Sequence, residues 1–176
     1  MEKRRSECEG LRRIRRRCGY TSPVSITVRT VAAPPEQVFA VLADGWTYSD
    51  WVVGTSHIRD VDANWPEVGS KLYHRAGPWP FSLEDSSTVT EMTRDRHLNL
   101  QAGLWPLGEA NVDLVLEPVG TDRTRVVMRE DFESGPLRGL RNGLHNIVLH
   151  RRNIEALRRL GDLAERRRSA RHPQVG

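Results

Sequence analysis

The chain has 176 residues, 38% of them hydrophobic, and a formal net charge of +4. That length suits one domain with short tails and is enough to bury a core or enclose a pocket. No stretch approaches the roughly 20 consecutive apolar residues of a membrane-spanning helix, so an integral helical membrane protein is excluded.

In chain order, residues 1–22 come first and hold eight Lys/Arg against three Glu. A disordered basic tail is expected there, whose one functional use is weak contact with an anionic surface or nucleic acid. Its Arg runs lack the apolar stretch of an export signal, so no targeting segment is expected. Cys8 and Cys18 both lie in this tail without His neighbours, which suits neither a metal site nor a disulfide-stapled core. A reduced, cytoplasmic setting is the simpler expectation. Residues 151–176 again hold eight Arg and three acids, whereas residues 23–150 hold eleven basic and seventeen acidic residues. The basic charge therefore belongs to the ends. The mildly acidic body lacks the basic–aromatic interleaving of a nucleic-acid binder.

From Val24 the pattern changes. "VSITVRTV" predicts a half-buried strand with Val24, Ile26 and Val28 on its apolar side and Ser25, Thr27 and Arg29 opposite. "APPEQVFAVLAD" places Pro in the first turn, Glu36 after it, and Val38, Val41 and Leu42 at helical spacing. "GWTYSDWVVG" follows, with Trp46, Tyr48 and Trp51 bounded by Gly45 and Gly54. "SHIRDVD", "SKLYHRA", "FSLEDSSTVTEM", "RHLNLQAGL", "EANVDLVLEPVG" and "RTRVVMREDFE" then read as strands separated by short turns, a hairpin at "TDR" among them. Together they suggest an antiparallel meander of about six strands. A long amphipathic helix closes the chain from about Leu140 to Arg167, with Ile147, Ile154, Leu157, Leu160 and Ala164 as its apolar stripe.

This order resembles the helix-grip fold of the START/Bet v1-like superfamily (SRPBCC, polyketide cyclase/dehydrase type). The resemblance is carried by "ITVRTVAAPPEQVFAVLADGWTYSDWV" at 26–52, by Gly69 before the third strand, and by "NIEALRRLGDLAE" at 153–165. It implies an α+β domain: a curved antiparallel sheet of six or seven strands wrapped around a long C-terminal helix, with two short helices after strand 1. The cavity lies between sheet and helix. The domain is expected over residues 23–167, with a second disordered tail at 168–176. Members of the superfamily bind lipids, sterols, polyketides, hormones or quinones, and a minority catalyse cyclisation or hydrolysis. They share no invariant catalytic set.

Given that fold, strand parity predicts which residues face the cavity. Val112, Leu114 and Leu116 define one apolar face, and Leu98, Leu100 and Ala102 another. Phe81, Leu83 and Val89 bring Asp85 and Ser87 to the inner side, and Val126, Met128 and Phe132 bring Glu130. On the last helix, Gly143, Ile147, His150, Ile154, Leu157 and Gly161 form the expected inward stripe. Glu130 and His150 are the candidates for moving protons. Trp51 is expected to pin the short helices against the sheet, and Trp46 and Tyr48 to sit at a portal. Trp79 and Trp105, each before a Pro in a Gly-flanked loop, are expected either to lid the end of the core or, together with Trp65, to frame a pocket mouth for an apolar ligand.

His57, His74 and His97 lie on different strands without metal-ligand spacing, so neither a metal nor a cofactor is expected. No nucleophile elbow, zinc-protease, phosphate-loop or dinucleotide motif occurs. With no activated nucleophile in view, the sequence favours a carrier or sensor of a hydrophobic small molecule (lipid, polyketide or isoprenoid-like). A cyclase/aromatase- or dehydratase-type enzyme acting on a polyketide-like substrate is the alternative, and adhesion through the Arg-rich tails comes third. Ligand identity and oligomeric state are not legible.

Overall fold

β-branched residues alternating with polar ones, broken by Gly, Asn and Asp, build seven strands. In the computed structural model, residues 25–76, 83–103, 108–132 and 143–171 are described. The strands are β1 (Ser25–Val31), β2 (Thr55–Val61), β3 (Lys71–Ala76), β4 (Leu83–Thr93), β5 (His97–Gly103), β6 (Glu109–Pro118) and β7 (Thr124–Phe132). Between β1 and β2 lie α1 (Pro35–Leu42), a 3-10 turn (Gly45–Thr47) and α2 (Tyr48–Trp51), and α3 (Gly143–Arg171) closes the chain. The helix-grip expectation is met: an opening strand and a six-strand meander make a seven-stranded sheet.

All pairings are antiparallel, in the order β1-β7-β6-β5-β4-β3-β2. β2 to β7 run as a meander, and β1 returns to pair with β7 at the far edge. The short helices therefore carry the chain from one edge of the sheet to the other. Pro35 in the first turn pre-sets the helical φ and Glu36 complements the positive end of α1, which buries Val38, Phe39, Val41 and Leu42. The left-handed backbone at Gly54 (φ 100°) lets the chain leave α2 directly into β2. The predicted hairpin forms between β6 and β7, where Val119 N donates to Arg123 O at 2.9 Å.

Inner-face parity follows expectation on four strands. Val89, Leu98, Leu100, Val112, Leu114, Leu116, Val126 and Met128 are all buried, and they form one core with α1, α2 and α3. Two expectations are corrected. On β1, Thr27 and Val31 are the buried residues, while Ile26 and Val28 are 52% and 47% exposed. On α3, Ile147 and Ile154 are exposed, as is His150, whereas Leu149, Asn153, Ala156, Leu157, Leu160 and Ala164 are buried.

One contact line explains both corrections, because α3 packs chiefly against β1. The inner side of β1 must therefore meet a helix at close range. A Cβ on Gly161 would lie 3.3 Å from both Arg29 and Val31, Thr27 Oγ1 bonds His150 Nδ1 at 3.3 Å, and Ala32 N donates to Glu165 Oε1 at 2.9 Å. His150, Gly161 and Glu165 thus form the flank of α3 that meets β1, and Ile147 and Ile154 continue that flank outward. The buried stripe is rotated by about one residue from the expected one.

Candidate functional site

Tyr48 stands at the centre of a polar group inside the grip. Held on α2, it is 5% exposed, and its ring meets Trp51 edge-on at 5.0 Å and the imidazole of His74 at 6.1 Å. Burial pushes the Tyr48 phenol up to about 12; Glu130 adds to the rise, while Ser87 and Arg152 pull against it. Tyr48 is thereby a neutral hydrogen-bond donor throughout the physiological range.

Strand register delivers the other members. Across β4, β5, β6 and β7 the pairs Val89–Leu100, Leu100–Val112 and Val112–Glu130 form one row. Glu130 therefore ends a line of aliphatic side chains at 1% exposure. Its Oε1 accepts from Arg152 Nη2 on α3, and its Oε2 has no partner. Arg152 is 30% exposed and so runs from the buried carboxylate out to solvent. Next to it, Asn153 is fully buried with both amide atoms unpartnered. A buried ion pair with one unanswered oxygen is expensive for stability alone, and buried polar groups in folded proteins are nearly always bonded to protein or water.

A second set lies on β3 and β4, where His74 pairs across with Asp85 and Leu72 with Ser87. His74 and Ser87 are 3% and 0% exposed; His74 Nδ1 meets no partner, and Ser87 Oγ, within reach of the Tyr48 phenol, makes no hydrogen bond of normal geometry. Burial holds the His74 imidazole below its usual range, with the charge of Asp85 opposing. It is therefore neutral near pH 7 and able to accept a proton. Asp85 Oδ1 accepts from Ser86 N at 2.8 Å and occupies the space over Gly103, where a Cβ would fall 1.8 Å from it. The indole Nε1 of Trp51 lacks a partner too, and the other unpartnered buried side-chain atoms among the described residues are Arg29 Nε on β1 and Gln37 Oε1 on α1.

Of the residues expected at the site, Tyr48, Trp51, Ser87, Leu98, Leu100, Val112, Leu114, Met128 and Glu130 are buried inside the grip, and Asp85 is half-buried beside them. Tyr48 is thus interior rather than at a portal. Trp46 is 59% exposed, and Trp65, half-buried, ties its Nε1 to Leu42 O at 3.1 Å. Ile147, His150 and Ile154 are exposed on α3, and the side chain bonded to Glu130 is Arg152 rather than His150. Trp79, Phe81 and Trp105, with the side chain of Leu83 at the start of β4, lie outside the described residues, as do Val24, the side chain of Phe132 and the Arg-rich tail at 1–22.

Three interior residues escaped the sequence reasoning. His74 was legible in the alternation of Leu72 and His74 against Tyr73 and Arg75. Asn153 was legible as i+4 from Leu149 and i−4 from Leu157. Arg152 carries no sequence signal, because a helical Arg beside a buried position looks like any solvent-facing one. Among the described residues no group of three His, Cys, Asp or Glu is placed to hold a metal ion, and no helix is long and apolar enough to cross a membrane.

The architecture recurs in solved structures. The aromatase/cyclase ZhuI from Streptomyces sp. R1128 aligns with a TM-score of 0.65 at 19% identity, over 85% of this chain and 98% of that one. Protein TTHA0849 from Thermus thermophilus aligns with a TM-score of 0.64 at 18% identity, over 81% and 97%. DynU16, a protein of the dynemicin biosynthetic locus, aligns with a TM-score of 0.60 at 16% identity, over 82% of this chain and 48% of that one. At such identities the likeness establishes the fold. Among curated proteins none matches the sequence. The family described as polyketide cyclase / dehydrase and lipid transport matches residues 23–165. With a polar group enclosed between its sheet and its last helix, the chain belongs to that family.

Proposed function

We propose that residues 23–167 bind a hydrophobic small molecule between the sheet and α3, as a cytoplasmic carrier or sensor. The observation that carries this reading is the set of unpartnered buried atoms on Trp51, His74, Ser87, Glu130 and Asn153, which come from α2, β3, β4, β7 and α3. Stability alone gives no reason to keep so many unanswered groups together, since each costs on the order of 1–3 kcal/mol. A ligand that answers them while its apolar surface meets Leu100, Val112 and Met128 turns that cost into affinity. Family membership supports the same class of function. Native mass spectrometry of protein purified from a cell extract tests it: a retained small molecule, released on unfolding, is the expected result. A wholly empty protein, unchanged in mass and in Trp fluorescence on exposure to hydrophobic compounds, overturns it.

A cyclase- or aromatase-type activity on a polyketide-like substrate is the second reading. It is favoured by a neutral imidazole with a free Nδ1 lying 6.1 Å ring to ring from a protonated tyrosine. In it His74 accepts a proton from the substrate and Tyr48 donates a hydrogen bond to a carbonyl oxygen. Loss of turnover in both His74→Gln and Tyr48→Phe, with binding retained, is the result that would establish it over carriage alone.

A further inference from the structure

The unpartnered interior atoms can be sorted by what they require. Trp51 Nε1 and Asn153 Nδ2 only donate, Glu130 Oε2 and Asn153 Oδ1 only accept, and Ser87 Oγ and neutral His74 do either. A hydrocarbon answers none of them. An ether or ketone answers the donors and leaves Glu130 Oε2 bare. A carboxylate or phosphate also only accepts, and brings a negative charge toward a carboxylate whose arginine partner is already engaged through Oε1. A hydroxyl answers both kinds at once. The carboxylate oxygen is the most demanding member, because a hydrogen bond to a charged acceptor is worth about twice a neutral one and its loss costs correspondingly more.

Resting on the ligand-binding reading above, we infer that the interior selects an uncharged, hydroxyl-bearing hydrophobic molecule whose O–H donates to Glu130 Oε2, against anionic lipids and acceptor-only molecules of the same shape. Glu130 is then the specificity-determining residue, positioned by Arg152. Asn153 and Trp51 read the remaining oxygen functions of the ligand. This separates hydroxylated ring compounds and alcohols from free fatty acids and phospholipids within the hydrophobic small molecules that such a fold accommodates.

The test uses three naphthalene probes that differ only in their 2-substituent, on the full chain at pH 7: 2-naphthol, 2-methoxynaphthalene and 2-naphthoate, with affinities read by calorimetry or Trp fluorescence. 2-Naphthol is expected to bind at least about tenfold more tightly than either of the others, the ratio that one charge-assisted hydrogen bond supplies. In Glu130→Gln the preference for the naphthol over the ether should shrink to within about threefold, and 2-naphthoate should bind more tightly than it does to the wild type. The three-probe ranking on the wild type stands even if that variant fails to fold. Equal affinity for all three probes overturns the inference and leaves the ligand-binding reading in place, as does tightest binding by 2-naphthoate. Failure of all three to bind overturns it as well, and the native mass measurement then decides the parent reading separately.

Discussion

Two histidines in this protein are moved in opposite directions by their surroundings. Burial holds His74 below the ordinary imidazole range, whereas the hydrogen bond to Asp113 lifts His97 above it, with burial opposing. His97 Nε2 lies 2.5 Å from Asp113 Oδ1, and Asp113 Oδ2 also accepts from Arg129 at 2.8 Å. For His74 the folded state holds fewer protons than the unfolded chain. Its contribution is therefore complete above the unfolded value of about 6.5 and is lost as pH falls below it toward the folded value. For His97 the sign reverses: the contribution is complete below about 6.5 and is lost as pH rises through the raised folded value. Thermal unfolding across a pH series separates them. The midpoint of the wild type should fall relative to His74→Gln as pH drops from 7.5 to 5. Its advantage over His97→Gln should be larger at pH 6 than at pH 8.5. A gap that stays constant with pH in either pair refutes the corresponding assignment.

At the scale of elements, the segment that carries Tyr48 into the interior is held by its own helix end. α1 has no basic residue in its last turn, so its terminal carbonyls need donors from elsewhere. Trp65 Nε1 supplies one to Leu42 O at 3.1 Å. Arg167, in the last turns of α3, gives Nη1 to Ala40 O at 2.9 Å and Nη2 to Asp44 Oδ2 at 2.6 Å. The 3-10 turn that follows also runs so close to β2 that a Cβ on Gly45 would lie 2.7 Å from Val61. Arg167→Leu should therefore cost about 1–3 kcal/mol, since it frees a helix-end carbonyl and a carboxylate together. Arg166→Leu, one residue earlier and exposed, should stay within about 0.5 kcal/mol. Urea midpoints at unchanged slope measure both, and equal effects would show that the contact between α1 and α3 is not what holds this end of the fold.

For the whole molecule, the architecture was legible because β4 to β7 each pair a clear period of two with a polar outer face, and the meander needs only short turns. Glu130 and Ser87 came inward with that parity. The rest was hidden for a physical reason at each place. β1 is an edge strand with apolar residues on both faces, so hydrophobicity alone votes for Ile26 and Val28. Its orientation is decided by distant partners: the buried bond from Thr124 Oγ1 to Ala33 O at 2.7 Å and the contacts of Thr27, Arg29 and Ala32 with α3. The α3 stripe was misplaced because Asn153, the residue at its centre, is polar, and its neighbours Ile147 and Ile154 looked like the better core. Replacing both apolar residues of β1, Ile26→Thr with Val28→Thr, should then shift stability by less than about 1 kcal/mol, because neither packs in the core. Leu160→Ala, at a fully buried position on the true stripe, should cost about 2–5 kcal/mol. Denaturant unfolding of the two variants decides between the orientations. A double Thr variant that loses as much as Leu160→Ala would turn β1 over, take Thr27 away from His150, and undo the packing of α3 that brings Arg152 to Glu130.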